Sequence, residues 1–217
     1  MLLPSASAQT SVALQAGWNN VAYQGTTLSV EQALGNAGST VSAVWHWEAD
    51  TASWRNYFPA VPSISTLPVL ETGEAYWIFA AEPVTWVQPA GISFESARVE
   101  VTTQASDTRA LHVELADTPE RRSRGLMFRQ SLAEDVGMLF LFPSDTTGGF
   151  WMQDTFVPLS IAFIDAAGSI VDIQDMEPLT TTLHSPAVPY RWALEVRQGW
   201  FSDNGVGLGD VVRLTGE

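Results

Sequence analysis

The chain has 217 residues, 46% hydrophobic and 16% charged, with a net charge of −14, a composition that suits one large globular domain or two small ones and excludes a disordered polymer. All ten basic residues are arginine and cysteine is absent. Schiff-base chemistry, lysine nucleophiles, a Gly-rich NTPase loop, disulfides, thiolate catalysis and Cys-ligated zinc or iron–sulfur centres are thereby excluded. The acidic balance also argues against a nucleic-acid backbone as partner.

Residues 1–10 read as a signal-peptide remnant or a flexible N-terminus. Leu2-Leu3-Pro4-Ser5-Ala6-Ser7-Ala8-Gln9 resembles the tail of a secretory signal, with Ala6-Ser7-Ala8 as the small-residue cleavage site. Later runs fall short of the roughly 18 apolar residues a membrane-spanning helix needs. The expectation is an extracytoplasmic protein without a membrane span: periplasmic, cell-surface or secreted.

Residues 11–88 read as a tryptophan-rich β domain. Trp18–Tyr23 predicts a strand. Ser29 as N-cap, Gln32 at the capping-box position and Gly35 as the stop predict a short helix. In Val41–Trp47, alternation puts Val41, Ala43, Trp45 and Trp47 on one face, and Ser42, Val44, His46 and Glu48 on the other. Trp54–Phe58 is the expected hairpin partner, and Gly73–Phe79 and Val84–Val87 are two further strands. His46 reads as a solvated strand residue. Trp18, Trp45, Trp47, Trp54, Trp77 and Trp86 are expected to fill the core of a domain of about 80 residues, which would otherwise bury too little surface. The competing reading is an aromatic platform for sugar rings or a partner's side chains. The half as a whole resembles small tryptophan-rich β modules of secreted bacterial proteins.

Residues 89–96 read as a linker of small and turn-forming residues, and nine of the ten arginines lie beyond it. Residues 97–217 form the second predicted domain. Strands are expected at Arg98–Thr103 and Arg109–Leu115, with Leu111, Val113 and Leu115 inward. Asp117–Gly125 predicts a short helix capped by Asp117 or Thr118, with Pro119 in its first turn and Gly125 ending it. Gly149–Asp165 reads as strand-like material buried on both faces around the polar interruption Gln153–Thr155. Tyr190–Arg197 alternates, setting Arg191, Glu195 and Arg197 opposite Trp192. Residues 177–189 are irregular, and Val211–Leu214 is the last strand.

Several blocks occur here in a recognisable order: Val113-Glu114-Leu115-Ala116-Asp117-Thr118, Arg124-Gly125-Leu126-Met127-Phe128-Arg129, Gly137-Met138-Leu139-Phe140, Phe150-Trp151-Met152, Thr155, Pro158-Leu159, Ala162-Phe163-Ile164-Asp165, Leu194-Glu195-Val196 and Gly209-Asp210. Together they resemble the bacterial and archaeal family called domain of unknown function 192, over roughly residues 108–214. The resemblance implies a compact, mostly antiparallel β domain of sandwich or barrel type with one short helix, often exported. The sequence departs from the family at Ser160, where an aspartate is usual, and at Gln153-Asp154, where a basic residue and an asparagine are usual. The fold class expected for the chain is therefore all-β in two domains.

His46, His112 and His184 are scattered and no nucleophile-elbow turn occurs, which argues against triad hydrolysis and a histidine metal site. No cofactor and no metal is expected, with calcium in the acidic segments 172–177 or 202–210 as the open alternative. The candidate ligand-binding residues are Arg124, Met127, Arg129, Trp151, Asp154, Thr155 and Glu195, charged and polar groups set in apolar blocks. The first expectation is structural: Arg124 or Arg129 pairs with Asp154 or Glu195 and locks helix and loops onto the sheet. The second is a pocket beside Trp151 and Met127 for an anionic or sugar-like ligand. In a third, Asp154 and Glu195 are a catalytic acid and base for glycosidic chemistry. The expected function is a non-catalytic binding or envelope-associated interaction module whose partner is an envelope protein, a glycan or a small anionic ligand. The alternative is a small-molecule or carbohydrate-directed site, hydrolytic in its strongest form.

Overall fold

A computed structural model describes residues 9–90, 92–129 and 131–215, and the chain divides into two compact units, Met1–Ile92 and Ser93–Glu217. The signal-like stretch ahead of Gln9 and Gly91 of the linker lie outside the described residues. No helix among the described residues is long and apolar enough to cross a membrane.

The first unit contains β1 (Thr10–Leu14), β2 (Gly17–Ala22), β3 (Leu28–Ser29), α1 (Val30–Leu34), β4 (Val41–Glu48), β5 (Ser53–Tyr57), β6 (Val69–Leu70), β7 (Ala75–Ala80) and β8 (Val84–Gln88). Four strands form one sheet in the order β2-β7-β4-β5, while β1 pairs with β8 and β3 with β6. Helix α1 starts where Ser29 accepts a hydrogen bond from the Gln32 amide. It ends at Gly35, whose φ of 45° suits a residue without Cβ. The core gathers Val44, Tyr76 and Ile78 from the sheet with Tyr23, Leu34 and Trp86. Trp86 stacks on Tyr23 with centroids 5.7 Å apart and donates its Nε1–H to the Ala33 carbonyl at 3.0 Å.

The expectation that the tryptophans fill this core holds only for Trp86. Side chains alternate across a strand, so burying Val44, Tyr76 and Ile78 turns their neighbours outward. Trp18, Trp47, Trp54 and Trp77 are 54%, 46%, 49% and 44% exposed. Facing pairs Trp45–Trp77 and Trp47–Trp54 set them side by side across three strands. A register shift between Val41 and Ala43 leaves both Ala43 and Val44 buried, so the mixed face of β4 is the inner one. His46 correspondingly lies half-buried against Tyr76, centroids 4.9 Å apart.

The second unit contains β9 (Glu95–Thr102), β10 (Thr108–Ala116), α2 (Pro119–Arg124), β11 (Val136–Thr146), β12 (Leu159–Ile164), β13 (Ile170–Met176), β14 (Tyr190–Arg197), α3 (Trp200–Asp203) and β15 (Val211–Thr215). The one-turn helix α3 has no clear signature in the sequence. Seven strands form a sheet in the order β13-β12-β14-β11-β10-β9-β15, antiparallel except where β10 meets β11. Its edges meet: Ser169 bridges Val211, Ile170 N donates to Asp210 O at 2.9 Å, and Val212 N donates to Gly168 O at 2.8 Å. The sheet therefore closes on itself at that corner in the manner of a barrel. Gly168 has φ +88°, and a Cβ there would lie 2.7 Å from the Val212 carbonyl oxygen, so the closure requires glycine.

Each face of this sheet carries a core. One contains Val99, Val101, Leu111, Val113, Leu139, Ala162, Leu194, Val196 and Trp200. The other contains Met138, Phe140, Ile161, Phe163 and Ala193 with Leu126 and Met152 from the connections. All six residues of β12 are buried as a result. The expectation of strand-like structure over Gly149–Asp165 is corrected in its first half: 149–157 is a loop joined to the rest by a Phe150–His184 bridge. Backbone turns at Gln153–Asp154 interrupt it, with Asp154 at φ 55°.

Trp86→Ala should lower unfolding free energy by roughly 3–5 kcal/mol, as expected for a buried tryptophan, whereas Trp47→Ala should cost under about 1 kcal/mol. Chemical denaturation of the two variants checks this, and equal losses would contradict the assignment of faces.

Candidate functional site

Strand β14 lies near the middle of the seven-stranded sheet, and its alternation directs Ala193 and Glu195 to the second core while Leu194 and Val196 enter the first. Glu195 is opposed by Met138 on β11 and Ile161 on β12, both fully buried. A carboxyl set between two apolar side chains loses its hydration without gaining a partner. Glu195 is 4% exposed, and burial pushes its pKa up from 4.5 to about 8. Among the described residues its carboxyl forms no hydrogen bond and no ion pair.

Glu195 instead opens onto a hollow of about 450 Å³. One wall is α2 and the turn after it, contributing Pro119, Arg122, Ser123, Arg124, Gly125, Leu126 and Met127. The opposite wall is Gly148, Gly149, Phe150, Trp151 and Thr155, and Phe140, Phe142 and Tyr190 come from the sheet. Helix α2 follows the sequence signals. Thr118 Oγ1 accepts from Arg121 N at 3.2 Å, and Gly125 ends the helix at φ 47°. A Cβ on Gly125 would reach the Phe140 ring at 3.3 Å. Arg121 anchors the helix from behind, donating to the Ser93 carbonyl at 2.8 Å and to Asp117 at 2.7 Å. Arg122 donates to the Asp117 and Leu141 carbonyls, with its guanidinium 5.2 Å from the Phe142 ring centroid. The Arg124 guanidinium is 4.5 Å from the centroid of Phe128.

The opposite wall is held by aromatic packing. Phe150 packs edge-on against Phe140, Phe142 and Phe163, and the Tyr190 hydroxyl donates to the Gly148 carbonyl at 2.7 Å. Burial raises the Tyr190 pKa to about 12, so the hydroxyl remains a donor throughout the neutral range. Trp151 is half exposed at the mouth, while the neighbouring Met152 is fully buried. Thr155 donates its hydroxyl to the Gln153 carbonyl.

Of the residues singled out from sequence, Arg124, Met127, Trp151, Thr155 and Glu195 converge on the hollow, and Arg129 and Asp154 do not. Arg129 pairs with Glu114 on β10. Asp154 contributes its backbone carbonyl, which accepts from Phe128 N at 2.7 Å. Among the described residues no arginine forms the expected pair with Glu195, and the strands beside it present Met138 and Ile161. Among the described residues Glu195 is the sole carboxylate lining the hollow and Asp154 is not in the lining, so the two-carboxylate arrangement is not assembled. Arg122, Phe142, Phe150 and Tyr190 were not anticipated as lining residues. As apolar or helix-end residues they read as core and capping material, and only the partly exposed pocket edge distinguishes them. The segments considered for calcium are otherwise engaged: 172–176 lies within β13, and the Asp210 carboxylate accepts from the Gln104 and Gly207 amides.

A family model for DUF192, described as Uncharacterized ACR, matches residues 100–214. The chain belongs to this family. The DUF192 match contains every described residue that lines the hollow. No curated protein matches the chain. Among solved structures, it is similar to a candidate transcription regulator from Sinorhizobium meliloti 1021, with 34% identity, a TM-score of 0.56, and coverage of 57% of this chain and 96% of that one. It is also similar to a protein of unknown function from Novosphingobium aromaticivorans DSM 12444, with 30% identity, a TM-score of 0.53, and coverage of 55% of this chain and 86% of that one.

The raised pKa of Glu195 makes stability pH-dependent with a definite sign. Between pH 4.5 and about 8 the unfolded chain releases a proton that the folded one keeps. Stability should therefore fall as pH rises through this window, with a slope approaching about 1.4 kcal/mol per pH unit from this group. Denaturant titrations of wild type and Glu195→Gln across that range test the sign: the difference between the two curves should grow with pH in favour of the variant.

Proposed function

We propose that the DUF192 domain is a non-catalytic, extracytoplasmic ligand-binding module that holds a small anionic or sugar-like molecule in the hollow above Glu195. One observation carries the reading: an almost buried carboxyl, with no partner among the described residues, facing an aromatic-walled hollow that is large enough for a small molecule. A buried polar group of this kind is costly unless something satisfies it, and a ligand hydroxyl or carbonyl would do so. In its neutral form Glu195 offers both an O–H donor and an acceptor. Arg122 and Arg124 on the α2 wall favour an anionic substituent on that side, and half-exposed Trp151 offers a ring face at the mouth.

The single carboxylate in the lining among the described residues supports binding over glycosidic hydrolysis, which uses a pair. The label carried by the Sinorhizobium relative gains no support from charge, since residues 93–217 hold eighteen carboxylates against nine arginines, an unfavourable balance for a phosphate backbone. Export is supported by the signal-like Ala6-Ser7-Ala8 stretch.

The test is a thermal-shift screen of the full chain against sugar acids, carboxylates and neutral glycans from pH 6 to 9. A stabilising ligand should lose affinity above about pH 8 in wild type as Glu195 ionises. Glu195→Gln should remove that pH dependence, and Arg124→Ala should weaken anionic ligands selectively, about tenfold for one lost charge-assisted bond. Turnover of a glycoside, or ligands indifferent to both substitutions, would sink the proposal.

A further inference from the structure

The outward face of the first unit lies outside the residues matched by the family model and independent of the pocket above Glu195. Trp18, Trp45, Trp54 and Trp77 come from four adjacent strands and line an open hollow of about 460 Å³. We propose that this hollow binds a quaternary ammonium group carried by a soluble small molecule of the choline type.

Three features select that chemistry. Among the described residues the lining is indole, and an indole face attracts a cation through its quadrupole more strongly than any other side-chain ring. The unit is negatively charged: residues 9–92 contain six carboxylates and one arginine, and that arginine, Arg55, is paired with Glu48 at 2.9 Å. The net charge of the unit therefore complements a cation. The indoles offer N–H donors and no acceptor. A primary ammonium brings three N–H groups that need acceptors, and a sugar ring brings hydroxyls that need both. A methylated ammonium asks for neither, keeps its charge, and presents apolar methyl groups to the rings.

The walls are braced for this role. Trp45 and Trp54 meet edge-on with centroids 6.3 Å apart, Trp47 supports Trp54 at 5.3 Å, and Phe79 supports Trp18 at 5.2 Å. Trp18, Trp45 and Trp54 are thereby held by a neighbouring ring as well as by their strands, which lowers the entropy lost when a ligand enters.

The experiment is calorimetric titration of the full chain with choline chloride and with tetramethylammonium chloride, compared with 3,3-dimethylbutan-1-ol, the uncharged carbon isostere of choline. Both cations should bind, the isostere about tenfold more weakly or worse, and added salt should weaken only the cations. Trp54→Leu and Trp77→Leu should each reduce choline affinity by about tenfold with an unchanged denaturation midpoint, and Glu195→Gln should leave it unaltered. If either tryptophan variant misfolds, the wild-type comparison of choline with its isostere still decides. Absence of choline binding, equal binding of the isostere, or binding of oligosaccharides without choline would overturn the proposal.

Discussion

Closure of the seven-stranded sheet is the constraint on which the second unit depends. Three backbone hydrogen bonds tie the start of β13 to the start of β15 around Gly168, and they pair the two edges at that corner instead of leaving both open. Closure gives the sheet an inside, filled by one apolar cluster, and an outside that is still greasy along β11, β12 and β14. That outer face has to be covered by the connections. Helix α2, the turn after it and the 148–157 loop supply the cover, and where the cover falls short over Glu195 a hollow remains. The pocket is thus the unfilled part of a layer, and its floor is as rigid as the sheet beneath.

The first unit solves the same problem differently. Its four-stranded sheet has one covered face, packed with α1, Tyr23 and Trp86, while the other displays tryptophan. Exposed apolar surface is ordinary when scattered and informative when contiguous and aromatic. The indoles here are adjacent by strand register, and Trp45, Trp47 and Trp54 brace one another edge to edge.

Much of the architecture can be read from local chemistry. Ser29 and Gly35 delimit α1, Thr118 and Gly125 delimit α2, and the blocks from Val113 to Asp210 identify the family and its β fold. Five of the seven pocket candidates converge because polar residues embedded in apolar runs must go somewhere particular. What local chemistry leaves undecided is which face of a strand is covered. Trp45 and Val44 are equally apolar, and only the placement of α1 and β8 makes Val44 interior. Pairings fail for the same reason: Arg129 reaches Glu114, fifteen residues earlier in the chain, because β10 passes beside the turn after α2. Likewise, residues 149–157 have the composition of a buried strand, yet a residue at positive φ, Asp154, bends them into a wall.

The lone parallel contact of the sheet has its own consequence. A tight turn cannot connect β10 to β11 running in the same direction, so the chain needs a crossover, and residues 117–135 make it. This segment is the same one that forms the arginine-bearing side of the hollow. The barrel therefore delegates its chemistry to a strap that topology makes unavoidable but leaves free in sequence. Replacing the strap's side chains would retune what the domain recognises while the strand pairing below stays intact, giving the scaffold a route to new specificities without refashioning its frame.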